Sequence, residues 1–287
     1  MSTQIIQWYP GHIAKAEKQL TLSLAKVDLV IEVRDARIPR STSHPCLQKW
    51  IKNKKHLLVV NRRDMITPES LAAWNAWFKQ QGQTALWCNA KDGTGTKQIK
   101  EAAIQLGQEL NTRRKSRGMQ QRAVRALTLG FPNVGKSALI NRLVNRKVVQ
   151  SSRRAGVTKS LRWVRVGQQL DLLDAPGVLP SRLENQEAAL KLAFCDDIGQ
   201  ASYDVESVAI RFLGIIEQCE KTSFSSKPFN VLEERYGIKL EKAQKNAHLW
   251  LESAAEHHTS GNTNRMAQRL LDDFRKNLIG PISLELP

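Results

Sequence analysis

The chain has 287 residues, enough for one ordinary domain and a smaller companion. Its hydrophobic fraction of 41% suits a globular protein. No apolar run approaches the ~20 residues that cross a bilayer, and residues 1–7 lack the basic-then-apolar signature of a secretory leader. Lys and Arg number 44 against 27 Asp and Glu, a net charge of +17, so a polyanionic partner is expected rather than an acidic one.

In chain order, residues 11–25 read as a helix with Ile13, Leu20 and Leu24 on one side. Residues 27–33, 56–60 and 84–88 read as strands, the first two rich in Val, Ile and Leu. Helical stretches at about 68–81 and 96–114 separate and follow them. Residues 125–129 form a strand that runs straight into Gly130, and a helix begins near Lys136. Two further strands, 161–166 and 169–173, flank Gly167. Strands alternating with helices predict an α/β domain, a mostly parallel sheet covered on both faces. Beyond Pro180 the strand pattern stops. Helices are expected at about 185–198, 204–221, 229–236, 240–257 and 264–276. The expected division is therefore 1–180, an α/β domain with an N-terminal helix, and 181–287, an all-helical domain.

The four cysteines, Cys46, Cys88, Cys195 and Cys219, form no C-x-x-C pair and read as buried free thiols in a reducing compartment such as the cytoplasm. Charge is concentrated: from Leu110 to Leu170 there is no acidic residue and there are fifteen Lys and Arg. Arg113, Arg114, Lys115, Arg117, Arg122, Arg125 and the pair Arg153-Arg154 have no evident local task. A basic face gains affinity for nucleic acid by releasing counterions from phosphates. Few aromatics are interleaved, so contact with the backbone and shape of folded RNA fits better than stacking on single strands. His257-His258, with no Cys or further His nearby, reads as a solvated helix end rather than a metal site.

The chemistry centres on Gly130-Phe131-Pro132-Asn133-Val134-Gly135-Lys136-Ser137, which fits the Walker A pattern at every fixed position. Glycines let successive backbone N–H groups turn toward phosphate, and the helix that follows adds its N-terminal dipole. Phosphate contact is expected from Asn133, Val134, Gly135, Lys136 and Ser137. Lys136 should bridge the β- and γ-phosphates and Ser137 should ligate Mg²⁺. Downstream, Asp171-Leu172-Leu173-Asp174-Ala175-Pro176-Gly177 offers Asp174 for the Mg²⁺ shell and the Gly177 N–H for the γ-phosphate. Between them, Thr158 in Gly156-Val157-Thr158 is placed to close over the metal as a first switch.

Guanine reading falls to Asn61-Arg62-Arg63-Asp64, at the end of the strand 56–60. The Asp64 carboxylate can accept two guanine N–H bonds that adenine cannot offer. Arg62 stands where Lys is usual, and its guanidinium can lie over a purine. One strand later, Cys88-Asn89-Ala90-Lys91 matches the Ser-Ala-Lys loop, with Asn89 for Ser and the Ala90 N–H directed at guanine O6. Guanine motifs thus precede the phosphate loop, the reverse of the usual order, which predicts a circularly permuted GTP-binding domain. The second switch then leads directly into the helical tail, which suggests that nucleotide state is communicated to it.

With Trp8-Tyr9-Pro10-Gly11-His12-Ile13-Ala14-Lys15-Ala16, Asp35-Ala36-Arg37-Ile38-Pro39 and the five motifs in permuted order, the chain resembles the ribosome biogenesis GTPase A family over nearly its whole length. Asp273-Phe274-Arg275 with Gly280 resembles the family's end. The departures are Arg62, Asn89 and the segment Gly261-Asn262-Thr263-Asn264. The resemblance implies a GTPase that matures the large ribosomal subunit, bound to its precursor and rRNA, with turnover stimulated by the particle. It implies GTP and GDP as ligands with Mg²⁺, and no membrane; a monomer is expected. Val178 stands where Ras-like enzymes carry a water-orienting Gln, and the resemblance assigns catalysis to His12 instead. It also assigns Asn133 to K⁺ binding. The residues alone leave open an RNA-binding assembly scaffold that uses nucleotide as a structural ligand, or a membrane-linked regulatory GTPase.

Overall fold

The computed structural model describes residues 6, 20–52, 54–149, 162–180, 185–220, 222, 227–239 and 246–287. They divide into two compact units, one of Pro10–Arg63 and Phe78–Arg182, the other of Met1–Tyr9, Asp64–Trp77 and Leu183–Pro287.

The first unit is built on a six-stranded sheet. Its strands are β1 (Leu29–Asp35), β2 (Lys55–Asn61), β3 (Ala85–Trp87), β4 (Val124–Leu129), β5 (Arg162–Val166) and β6 (Leu170–Asp174), in spatial order β3-β2-β1-β4-β6-β5. All neighbouring pairs are parallel except β5 with β6. Every residue of β1 is buried, as a strand covered on both faces must be. The chain winds outward from β1 through β2 to β3, then restarts at β4 and winds the other way. The reversal lies between β1 and β4, and ligands of such sheets bind at the carboxyl ends of the strands at that point.

Helices α1 (Leu47–Ile51), α3 (Thr96–Ser116) and α4 (Lys136–Val144) belong to this unit, and α2 (Pro68–Gln80) begins in the other unit and ends here. The short α1 carries no sequence signal strong enough to predict it. Residues 20–24 are helical, and Leu20 and Leu24 join Val27, Val30, Leu127, Leu129 and Leu173 in one buried cluster. Burying such side chains contributes about 1.5–3 kcal/mol each.

The second unit contains no strand among its described residues; its only pairing there is an isolated bridge between Ile6 and Tyr203. Helices α5 (Gln186–Phe194), α6 (Val205–Glu220), α7 (Pro228–Tyr236), α8 (Ala247–Thr259) and α9 (Thr263–Arg275) carry it. Three of them start at asparagines whose side chains accept a first-turn N–H: Asn185, Asn246 and Asn262. Asn262 thereby explains the departure at 261–264, which serves as a helix start. Phe194, Phe212 and Phe274 stack in series. Each residue of Asp273-Phe274-Arg275 has a structural task. Asp273 accepts from Arg235 and Tyr236, and Phe274 fills the aromatic core. The Arg275 guanidinium donates to the carbonyls of Ala193 and Phe194 at 2.8 and 3.0 Å, closing the end of α5. His257 and His258 end α8, bonded to the Ser253 and Tyr236 carbonyls.

All four cysteines are free; Cys88 and Cys195 are buried, while Cys46 and Cys219 are half-buried rather than fully so. No helix among the described residues is long and apolar enough to cross a membrane.

Candidate nucleotide site

Sheet register brings the predicted residues together. Asp35 pairs with Asn61 across β1 and β2, and Thr128 with Asp174 across β4 and β6. Asp35, Asn61 and Asp174 end their strands, and Thr128 is next to last in its own, on the side where Gly130 leaves β4. The phosphate loop is wedged there so closely that a Cβ on Gly130 would lie 2.3 Å from the Val33 carbonyl. Gly135 combines φ +97° with a virtual Cβ 2.2 Å from Asn61 Nδ2, so glycine is required both for conformation and for space.

Lys136, buried at the start of α4, folds back over the loop and donates to the carbonyls of Gly130 and Phe131 at 3.1 and 2.7 Å. Its ammonium is thus held at the loop. Asp174 is buried. Burial pushes its carboxyl above the ordinary carboxylate value, opposed by the Lys136 charge and a hydrogen bond from Ser137. Its Oδ1 is buried with no hydrogen bond among the described residues. A hydroxyl and a carboxylate side by side, one oxygen of the latter unbonded, suit a hard cation such as Mg²⁺.

The second switch touches the loop directly. A Cβ on Gly177 would come within 2.6 Å of Pro132 Cα and N. The Val178 N–H donates to the Gly130 carbonyl at 3.2 Å, while its side chain is buried in the apolar cluster with Leu127 and Leu129. The position that holds a water-orienting Gln in Ras-like enzymes therefore points into the core.

On the guanine side the groups singled out in the sequence also bond within the protein. Arg62 is tied to the strand end and to the phosphate loop. At φ +65° it turns back, its Nε 3.1 Å from Asp35 Oδ2 and its NH2 2.7 Å from the Asn133 carbonyl. The Ala90 N–H, expected for guanine O6, is donated to Asn61 Oδ1 at 3.0 Å. Asn61 Nδ2 in turn donates to the Val134 carbonyl at 2.9 Å. Asn61 is therefore a strut between the phosphate loop and the 88–91 loop. Asn89, the departure from Ser, folds its own loop. It accepts from the Lys91 N–H and donates to Asp92. Arg142 of α4 holds the same loop through the Ala90 and Lys91 carbonyls. Asp64 sits in a 3-10 turn, Arg63–Met65, with its side chain exposed. His12 and Thr158 lie outside the described residues.

Sequence reasoning missed the support beneath the site. Asp35 is fully buried. Burial would raise its carboxyl, but the bidentate Arg37 (2.9 and 2.7 Å) and Arg62 hold it below the ordinary value. This explains the Asp35-Ala36-Arg37 segment as a charged brace under the loop that joins Arg62 to Asn133. His44 was also missed. It is stacked 4.1 Å from Trp50, edge-on 6.0 Å from Phe131 of the phosphate loop, and lowered to about 4 by burial, with the Leu179 backbone and Glu32 opposing. No spacing rule marks the contacts of Asp35 with Arg62 or of His44 with Phe131, because each joins segments far apart in the chain.

A phosphate loop, a switch aspartate and a guanine loop joined at the carboxyl ends of a permuted parallel sheet define a P-loop GTPase of circularly permuted order. The family model described as "50S ribosome-binding GTPase" matches residues 125–231. "Ribosome biogenesis GTPase A" of Bacillus licheniformis is 34% identical over 99% of this chain and 99% of its own length, and that of Bacillus pumilus is 39% identical over 74% and 76%. The crystal structure of GNP-bound YlqF from T. maritima shares the fold, at 22% identity and a TM-score of 0.63, covering 95% of this chain and 98% of that one. The chain belongs to the ribosome biogenesis GTPase A family, whose members are GTPases.

Proposed function

We propose that this protein is an assembly factor for the large ribosomal subunit whose GTP hydrolysis is stimulated by the particle. The observation that carries the proposal is the joining of Lys136, Ser137, Asp174 and Gly177 at one strand end, in a family whose matched model is described as 50S ribosome-binding. Residues 1–180 form the GTP-binding domain and 181–287 the RNA- and ribosome-binding domain. GTP and GDP are held by the phosphate loop from Asn133 to Ser137, with the Gly177 N–H on the γ-phosphate. Asp64, with the 88–91 loop, reads guanine.

Mg²⁺ would be held by Ser137 and Asp174, with Thr158 as a further ligand, and would neutralise charge on the phosphates. K⁺ at Asn133 belongs to the same proposal. Val178 is committed to the core, and the family resemblance assigns water activation to His12. The partners are precursor particles and rRNA, and the compartment is the cytoplasm.

The test is nucleotide binding and turnover, with and without large ribosomal subunits. GTP and GDP should bind, ATP should not, and subunits should accelerate a slow intrinsic hydrolysis. His12→Ala should lower turnover on the particle with nucleotide affinity unchanged. ATP binding without GTP binding, or turnover indifferent to subunits, would overturn the proposal.

A further inference from the structure

The nucleotide site uses one end of β4; the other end borders a separate cavity. Val124 opens β4, and its six residues carry the chain on the order of 17 Å to the phosphate loop. Beside Val124, the last two turns of α3 and the return segment 117–123 enclose about 290 Å³, near the lower bound of ~300 Å³ for small-molecule sites.

The floor is apolar: Gly107, Leu110 and Val124. The walls carry Arg113, Arg114 and Arg117. The cavity is a built feature. Asn111 clamps Arg122 through its backbone N–H and carbonyl, at 3.3 and 2.9 Å, and Arg114 Nε donates to the Gln120 carbonyl at 3.1 Å.

Local needs for this charge are met elsewhere. Asp28, the carboxylate in the cavity, is paired with Arg122 at 2.7 and 2.8 Å, and Glu109 with Lys55 at 2.6 Å. Among the described residues no carboxylate makes a direct ion pair with Arg113, Arg114 or Arg117; Arg113, one turn on from Glu109, acts on that carboxyl only as a secondary charge behind Lys55. Nor does the end of α3 require them, since the N–H groups of Arg117, Gly118 and Met119 take the Arg114 and Lys115 carbonyls. Of the basic cluster seen in the sequence, Arg122 and Arg125 have structural tasks: the first pairs with Asp28, and the second lies 5.6 Å over Trp163. Of the rest, Arg113, Arg114 and Arg117 converge on one concavity, and Arg153 and Arg154 lie outside the described residues.

Guanidinium groups bind phosphate bidentately and stack on bases, and an apolar floor accepts a base face or a sugar. A free anion would use the rim and leave the floor unexplained. We propose that this cavity binds RNA: an unpaired nucleotide enters against Leu110 and Val124, with its phosphates on Arg113, Arg114 and Arg117. The assignment rests on the ribosomal reading above and names the G-domain surface that carries it.

The test uses the full chain and Arg113→Gln/Arg117→Gln, with Lys79→Gln/Lys97→Gln as a control of equal charge removed from exposed positions elsewhere. GDP binding and circular dichroism verify folding. Filter binding to protein-free large-subunit rRNA should weaken at least ~10-fold at ~100 mM salt for the arginine pair. Its log–log salt slope should fall by about 1.4, two contacts at ~0.7 each on single strands, while the control changes less than ~3-fold. An arginine pair no weaker than the control overturns the assignment and leaves the ribosomal reading intact. Weakening on whole subunits without weakening on protein-free rRNA also overturns it, because the contact is then to protein. If the unaltered chain binds neither subunits nor rRNA, the ribosomal reading itself fails, and this assignment with it.

Discussion

Asn61→Ala separates two roles for the first residue of the guanine motif. As a base reader, Asn61 would matter only when nucleotide is bound. As a strut, it supports the empty protein. The buried amide gives a hydrogen bond to the Val134 carbonyl (2.9 Å), accepts the Ala90 N–H (3.0 Å) and lies 3.5 Å from Cys88 Sγ. Truncation leaves a buried N–H and a buried carbonyl without partners, at about 1–3 kcal/mol each, partly relieved by water entering the site. The expected loss is about 2–4 kcal/mol of unfolding free energy without nucleotide, a large share of the ~5–15 kcal/mol typical of a domain. Because both loops proposed to hold nucleotide are released, GDP affinity should also fall at least tenfold. Urea denaturation of the nucleotide-free protein, followed by circular dichroism, measures the first quantity, and titration with labelled GDP the second. A variant with unchanged midpoint and slope in urea but weakened GDP binding would refute the strut.

Further outcomes follow from other contacts. Gly107 packs so tightly on β4 that a Cβ would lie 1.7 Å from Val124 Cγ2, so Gly107→Ala should cost about 1–3 kcal/mol by overpacking. Adding Val124→Ala should recover part of the melting temperature, and no recovery would contradict the packing argument. His44, lowered to about 4 in the fold against ~6.5 in the unfolded chain, keeps its imidazole neutral when native. The unfolded chain therefore takes up the proton first, and stability should decline as pH falls from ~6.5 toward ~4, by about 1–3 kcal/mol. His44→Phe should flatten urea midpoints across that window, and an unaltered slope would count against the burial argument. Gly177→Ala forces the second switch off Pro132. GTP hydrolysis should fall about tenfold or more with GDP affinity nearly retained, whereas equal loss of both would place the defect in the phosphate loop itself.

The elements that sequence reasoning located best are those whose signals are local. Val-rich runs became β1 and β2 because a strand buried on both faces needs little else, and the α4 start at Lys136 follows from the loop before it. The short α1, with only five residues, shows no full turn of periodicity and was not legible. In the site, fixed spacing exposed Gly130 to Ser137 and Asp174, since the phosphate-loop pattern and an Asp ending a buried strand are both local signals. Asp35 with Arg37 was legible only as a resemblance, and Arg62 joins them only because β2 lies beside β1.

The amino-acid sequence by itself determined the class of sheet, the permuted order and the side chains proposed to meet phosphate and metal, all of which depend on neighbours a few residues away. Only the tertiary structure decided where those side chains spend their bonds. Parallel register set Asn61 beside Asp35, so Asn61 braces two loops and Arg62 turns inward. It buried Val178 and paired Arg122 with Asp28 across 94 residues. That pairing sorted one basic stretch into structural charge and three arginines around a cavity. Charge can be counted along a chain, but its partners are fixed by the sheet that brings distant residues within hydrogen-bond reach.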